Sequence, residues 1–164
     1  MPFTDLLVLL LIFAGTSASA VLLWRRGIRG RQFFAAVWLS FYGLVLTLMM
    51  LAHSAEIVYR IVASRAAAAN PGSMYNFRVY SLLLLGALLV WAGVECIRAA
   101  PGLGRGTAEA RRTALRASIM VLAIVAPLIP FQRVFGILLS MLSILSLLVL
   151  TWGSPRSEPI PHKV

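Results

Sequence analysis

Cysteine is almost missing from this chain. Cys96 stands alone, so no intrachain disulfide forms and no set of thiolates exists for a zinc or iron–sulfur centre. Acidic residues are also scarce, five against fifteen lysines and arginines, and the only histidines are His53 and His162. A dedicated zinc site needs three or four ligands, and the segment around His53 offers that imidazole and Glu56. We expect no metal. Haem ligation by two histidines has equally little support: His162 lies in a proline-rich tail, so a partner for His53 would come from another subunit or from Met49 or Met50.

Catalytic signatures are missing as well. There is no G-x-S-x-G elbow, H-E-x-x-H, Walker loop, CxxC or strand-linked G-x-G-x-x-G, which removes the common routes to nucleophilic, metal-dependent and nucleotide chemistry. Gly102, Gly104 and Gly106 alternate, but they follow an apolar run and precede an arginine-rich segment. They read as a flexible loop that turns helical from Thr107, not as a phosphate cradle.

What the chain has in abundance is apolar sequence. Sixty per cent of its 164 residues are hydrophobic, 12% are charged, and the mean hydropathy is +0.91. The apolar residues come in runs of roughly 17 to 25, the length that crosses about 30 Å of hydrocarbon at about 1.5 Å per residue. We therefore expect an all-α, multi-pass transmembrane helical bundle in the plasma membrane, a single domain over residues 1–152 followed by a disordered tail over 153–164. The net charge of +10 does not argue for nucleic acid, because most of the arginines sit in short segments between apolar runs, where cytoplasmic retention of positive charge explains them.

Five spans are expected. The first covers Leu6–Trp24 and is followed at once by Arg25, Arg26, Arg29 and Arg31. Ala18-Ser19-Ala20 resembles a signal-peptidase site, but no basic segment precedes the run and Val21–Trp24 continues it. The second runs from Phe33 to Ala52, with an amphipathic extension through His53, Glu56 and Arg60 to Ala69, stopped by Asn70-Pro71-Gly72. The third covers Val79–Ile97. The apolar region Ala117–Trp152 is divided at Pro127, Pro130, Gln132 and Arg133, giving a fourth helix over about Thr113–Ile129 and a fifth over Val134–Trp152. A single kinked helix across this region, with four spans in all, is the alternative.

This threading places the amino terminus outside and the carboxyl terminus in the cytoplasm. Eleven of the fifteen basic residues then lie inside, and Arg60, Arg65, Arg78 and Arg133 lie outside, the positive-inside pattern. Arg25, Arg26, Arg29, Arg31, Arg111 and Arg112 are candidates for contact with anionic lipid headgroups. Bound lipid is the one non-protein component we expect. No other cofactor is predicted.

On the second helix, Trp38, Tyr42, Met49, His53, Glu56 and Arg60 share one side, and Ala36, Ser40, Gly43, Thr47 and Ser54 share the other. The small side suits close helix packing, as do Gly15 and Ser19 on the first helix and Gly136, Ser140, Ser143 and Ser146 on the fifth. The larger side is where chemistry is sought. His53 and Glu56, one turn apart, are candidate ligand-contacting groups with Arg60, although Glu56 can also pair with Arg60 at i, i+4. Glu95, the acid inside a predicted span, is a fourth candidate, set against an ion pair with Arg98 three residues on. Cys96 reads as a packing residue, with palmitoylation or redox chemistry as the alternative.

These features favour a non-catalytic accessory or assembly subunit of a larger membrane complex, packed against other membrane subunits or copies of itself. A small homo-oligomeric transporter or channel is the alternative, with Glu95, His53 and Glu56 on its path. A third reading is a membrane enzyme acting on lipid or quinone, with His53 and Glu56 as acid and base and Arg60 or Arg78 holding an anionic group.

Overall fold

A computed structural model describes residues 2–67, 73–128, 130 and 133–152, with side chains for 5–63, 79–127, 130 and 133–152. The secondary structure over these residues is helical: α1 (Pro2–Arg25), α2 (Gly30–Ala67), α3 (Ser73–Gly104), α4 (Ala108–Val125) and α5 (Arg133–Trp152), with one 3-10 turn over Ala126–Leu128. The stop at Asn70-Pro71-Gly72, the side chains of Arg65 and Arg78, and the tail from Gly153 lie outside the described residues.

Every helix is longer than, or displaced from, its apolar run, and each shift has a local cause. Pro2 opens α1 where its missing N–H costs nothing, since first-turn amides have no partner inside the helix. The connection to α2 is set by Gly27 and Gly30, both with φ near +70° (75° and 66°), a conformation that side chains disfavour. α2 then continues unbroken for 38 residues, about 57 Å, well beyond the hydrocarbon thickness.

α3 overturns the expectation of a flexible loop from Pro101. The helix runs through Pro101 to Gly104, because a proline in the last turn removes one backbone bond and leaves the preceding turns intact. Its glycines serve close packing: a Cβ on Gly102 would stand 2.7 Å from Ala110 Cβ, and one on Gly104 would stand 2.8 Å from Ile28 Cδ1. The true turn is Arg105–Gly106, where Gly106 has φ +74°.

α4 begins at Ala108, one residue after the expected helical onset at Thr107 and five before the expected apolar span, and ends at Val125, where Pro127 lacks the N–H to continue and the chain tightens into the 3-10 turn. α4 and α5 are separate helices packed on each other, so the single kinked helix does not occur. α1, α2, α3 and α5 are long and apolar enough to cross a membrane. α4 falls short on composition, because Glu109, Arg111, Arg112 and Arg116 occupy its first half.

Neighbouring helices run antiparallel. On α1 and α2 the pairs are Trp24 with Phe33, ring centroids 5.8 Å apart, Ser19 with Ser40, and Gly15 with Leu44. α2 packs on α3, α3 on α4, α4 on α5 and α5 back on α2, a closed four-helix ring, with α1 laid against the outside of α2. The core inside the ring is built from Leu39, Tyr42, Leu46, Leu89, Cys96, Val121, Val125 and Leu139, all essentially inaccessible. Because adjacent helices alternate in direction, the Arg25–Arg31 cluster, Arg98, Arg105, Arg111 and Arg112 gather at one end. His53, Glu56, Arg60 and Arg133 gather at the other.

Candidate functional site

α2 is the hub, and its side chains divide among three neighbours. Toward α3 it presents Gly43, Thr47 and Ser54. A Cβ on Gly43 would stand 2.6 Å from the carbonyl oxygen of Gly93, and one on Gly86 would stand 2.7 Å from Ser54 Oγ. Backbone touches backbone here, the approach that lets membrane helices gain dispersion and Cα–H···O contacts where no hydrophobic force draws them together. Toward α1 it presents Ser40, whose hydroxyl lies 2.8 Å from that of Ser19 and also donates to the Ala36 carbonyl at 3.0 Å.

Toward α5 it presents the side on which chemistry was sought. Trp38 Nε1 donates to Ser146 Oγ at 3.0 Å, and the Tyr42 hydroxyl shares a 2.7 Å hydrogen bond with Ser143, which also reaches the Leu139 carbonyl. Two of the six residues of that face are thus occupied in helix pairing. The small residues of α5 point inward to receive them: Gly136, Ser140, Ser143 and Ser146 are buried. Among the described residues, buried polar atoms on Thr47, Arg111, Ser118 and Ser140 have no hydrogen-bond partner.

Three of the remaining members of the face, Met49, His53 and Glu56, line an open cleft of about 740 Å³. Its walls come from Asp5, Val8 and Leu9 of α1, Met49, His53, Glu56 and Tyr59 of α2, and Phe135 of α5. The α2 extension places His53 and Glu56 one turn apart, and His53 stacks on Phe135 with centroids 6.2 Å apart and planes inclined by 24°. Glu56 accepts from Arg60 Nη2 at 2.6 Å and from its Nε at 3.2 Å. His53, Glu56 and Asp5 therefore share one cleft that α1 completes. Asp5 carried no signal of its own in the sequence, since only the α1–α2 pairing brings it there. Among the described residues no group of three or more His, Cys, Asp or Glu is placed to hold a metal ion.

Glu95 is apart from this cleft, partly exposed on α3 and 3.3 Å from Nη1 of Arg98 on the same helix. Cys96 beside it is fully buried, with its Cβ 3.1 Å from where a Cβ on Gly43 would stand.

At the opposite end, the arginine cluster is tied down in part by aromatic rings. Arg29 lies 5.1 Å from the centroid of Trp24, and Arg31 lies 5.7 Å from that of Trp152. Arg111 and Arg112 line a second cavity, of about 290 Å³, where α2, α3, α4 and α5 meet.

Sequence reasoning missed the small face of α3. Gly86, Leu89, Gly93, Cys96, Ala100 and Leu103 recur at alternating intervals of three and four, and all are buried, the spacing of a heptad seam. That signal was present but masked by the leucines between. Comparison of the chain with protein-family models, curated proteins and solved structures returns no match.

Proposed function

We propose that this chain is a non-catalytic accessory or assembly subunit of a larger complex in the plasma membrane. It threads the bilayer five times, amino terminus outside and carboxyl terminus in the cytoplasm. The orientation rests on the gathering of basic residues at one end of the bundle. α4 counts as the fifth span because α3 and α5 flank it on two sides and its charged first half sits at the basic end, where long arginine side chains reach the headgroups.

The observation that carries the subunit reading is the state of α1. One neighbour, α2, supplies its extensive packing, and Ala14, Ser17 and Ala18 are turned away from that neighbour and exposed. Ala14 and Ala18 have the small-xxx-small spacing that lets a further helix approach closely. Meanwhile Ser40, Trp38 and Tyr42 of α2 are engaged inside the chain, leaving few polar groups in mid-bundle for a transport path.

Extraction in mild detergent followed by native mass spectrometry tests this. Defined stoichiometry with other polypeptides is expected, lost when Ala14 and Ala18 are both changed to Leu while thermal stability is retained. A monomer or homo-oligomer carrying only lipid overturns it.

The cleft around His53 favours a second reading, an enzyme acting on lipid or quinone with His53 and Glu56 as acid and base. It requires activity in the purified protein that His53→Ala abolishes. The transporter alternative requires loss of transport in Glu95→Gln at preserved expression.

A further inference from the structure

The cavity at the basic end of the bundle is built from four helices. Gln32 enters from the start of α2, Thr107 and Arg111 from the start of α4, and Arg112 stands at its edge, over an apolar floor that includes Val149 of α5. Arg111 Nε is buried and has no acceptor among the described residues, so part of a guanidinium has been withdrawn from water without replacement, a condition that costs free energy until an acceptor arrives. The Thr107 hydroxyl donates to the Gly102 carbonyl at 3.0 Å and does not cap α4. The first amide N–H groups of that helix are left to add their partial positive charge to the two arginines. Glu109, the acid nearest in sequence, is exposed and does not line the cavity.

A groove of about 480 Å³ adjoins this cavity and shares Ala35 and Val149 with it. It runs between α2 and α5, with Phe34 and Trp152 as its sides, and is almost wholly apolar. The arginine-lined cavity thus adjoins a groove that suits a hydrocarbon chain. A cation is repelled by the arginines, and a free anion would leave the groove unused.

We propose that this composite site binds one anionic phospholipid, its phosphate received by Arg111 and Arg112 with help from Gln32, and one acyl chain lying in the α2–α5 groove. A phosphate oxygen supplies the acceptor that Arg111 Nε lacks among the described residues, and a guanidinium pairs with phosphate through more than one N–H. The site differs from a general attraction of the basic end for anionic lipid because it has fixed stoichiometry and depends on two particular arginines.

The test uses the full chain, delipidated in neutral detergent, with phosphatidylglycerol, phosphatidylcholine and inorganic phosphate added separately and read by native mass spectrometry. One phosphatidylglycerol is expected to be retained in preference to phosphatidylcholine, with occupancy falling as salt is raised. Arg111→Gln should weaken retention about tenfold, and Arg112→Gln, an exposed position tolerant of change, should weaken it too. The double change Arg25→Gln, Arg26→Gln removes two charges, one more than either single variant, at the same end but outside the cavity, and should leave the bound lipid in place. Equal retention of the two lipids overturns the proposal, as does equal loss in the Arg25/Arg26 variant. Binding of inorganic phosphate without retention of phosphatidylglycerol also overturns it, assigning the cavity to a free anion.

Discussion

The carbonyl oxygen of Gly93 lies 2.6 Å from where a Cβ on Gly43 would stand, and the carbonyl oxygen of Gly43 lies 2.7 Å from where a Cβ on Gly93 would stand. The contact is reciprocal and made by two main chains, so neither partner can rotate away. Thr47 Oγ1 closes the same space, 2.5 Å from the Gly93 position.

Gly93→Ala should therefore separate α2 from α3 and destabilise the bundle by about 1–3 kcal/mol, the usual cost of overpacking. Thermal unfolding in detergent reads this directly. Thr47→Ala in the same background should recover only part of the loss, because the Gly43 carbonyl still obstructs. Full recovery would show that the threonine, not the main chain, sets the distance. Gly43→Leu reports on the same internal contact and is not a probe of partner binding.

The Tyr42–Ser143 bond joins α2 to α5 inside the ring. Tyr42→Phe leaves Ser143 bonded to the Leu139 carbonyl, so no buried donor is orphaned and the change should cost about 1 kcal/mol or less. Ser143→Ala orphans the buried Tyr42 hydroxyl and should cost more, about 1–3 kcal/mol, and the double variant should fall short of the sum by roughly 0.6 kcal/mol or more. Strict additivity would mean the hydroxyls do not act as a pair.

Cys96 is fully buried at the α2–α3 seam. A membrane-permeant maleimide should leave it unlabelled in the native protein and label it after denaturation. Rapid native labelling would mean that the seam opens, and would return acylation of this thiol to consideration. Gly43→Leu, which wedges the seam, should raise the native labelling rate.

The two ion pairs among the described residues are local and partly in solvent: Glu56 with Arg60 at i, i+4 and Glu95 with Arg98 at i, i+3. Glu56→Gln and Glu95→Gln should each change stability by less than about 1 kcal/mol. A loss of assembly or transport in either variant, at unchanged melting temperature, would assign that carboxylate a role that its ion pair does not explain.

The apolar runs located the four long helices, and the group Pro127, Pro130, Gln132 and Arg133 located the break between α4 and α5 to within a few residues, because those features act over a short stretch of chain. Helix ends were less legible. Pro101 and the glycines after it look like loop chemistry in sequence, yet Gly102 and Gly104 are the points where Ala110 and Ile28 press against α3. The small face of α2 was visible from spacing alone, but its division between Ser40 toward α1 and Gly43 toward α3 was not. Likewise His53, Glu56 and Asp5 come from two helices, and their shared cleft exists only once α1 has paired with α2.

By itself the sequence determined the apolar centre of each helix and the charge asymmetry between the ends, since hydropathy and backbone hydrogen bonding act along the chain. Tertiary structure decided which faces meet. It turned Trp38 and Tyr42 into partners of Ser146 and Ser143, closed α5 onto α2 and set Arg111 beside Gln32 in one cavity. The reason is that a helix carries its pattern around its whole circumference, while the choice among neighbours depends on where main chains can approach. Here that choice falls where Gly43 meets Gly93.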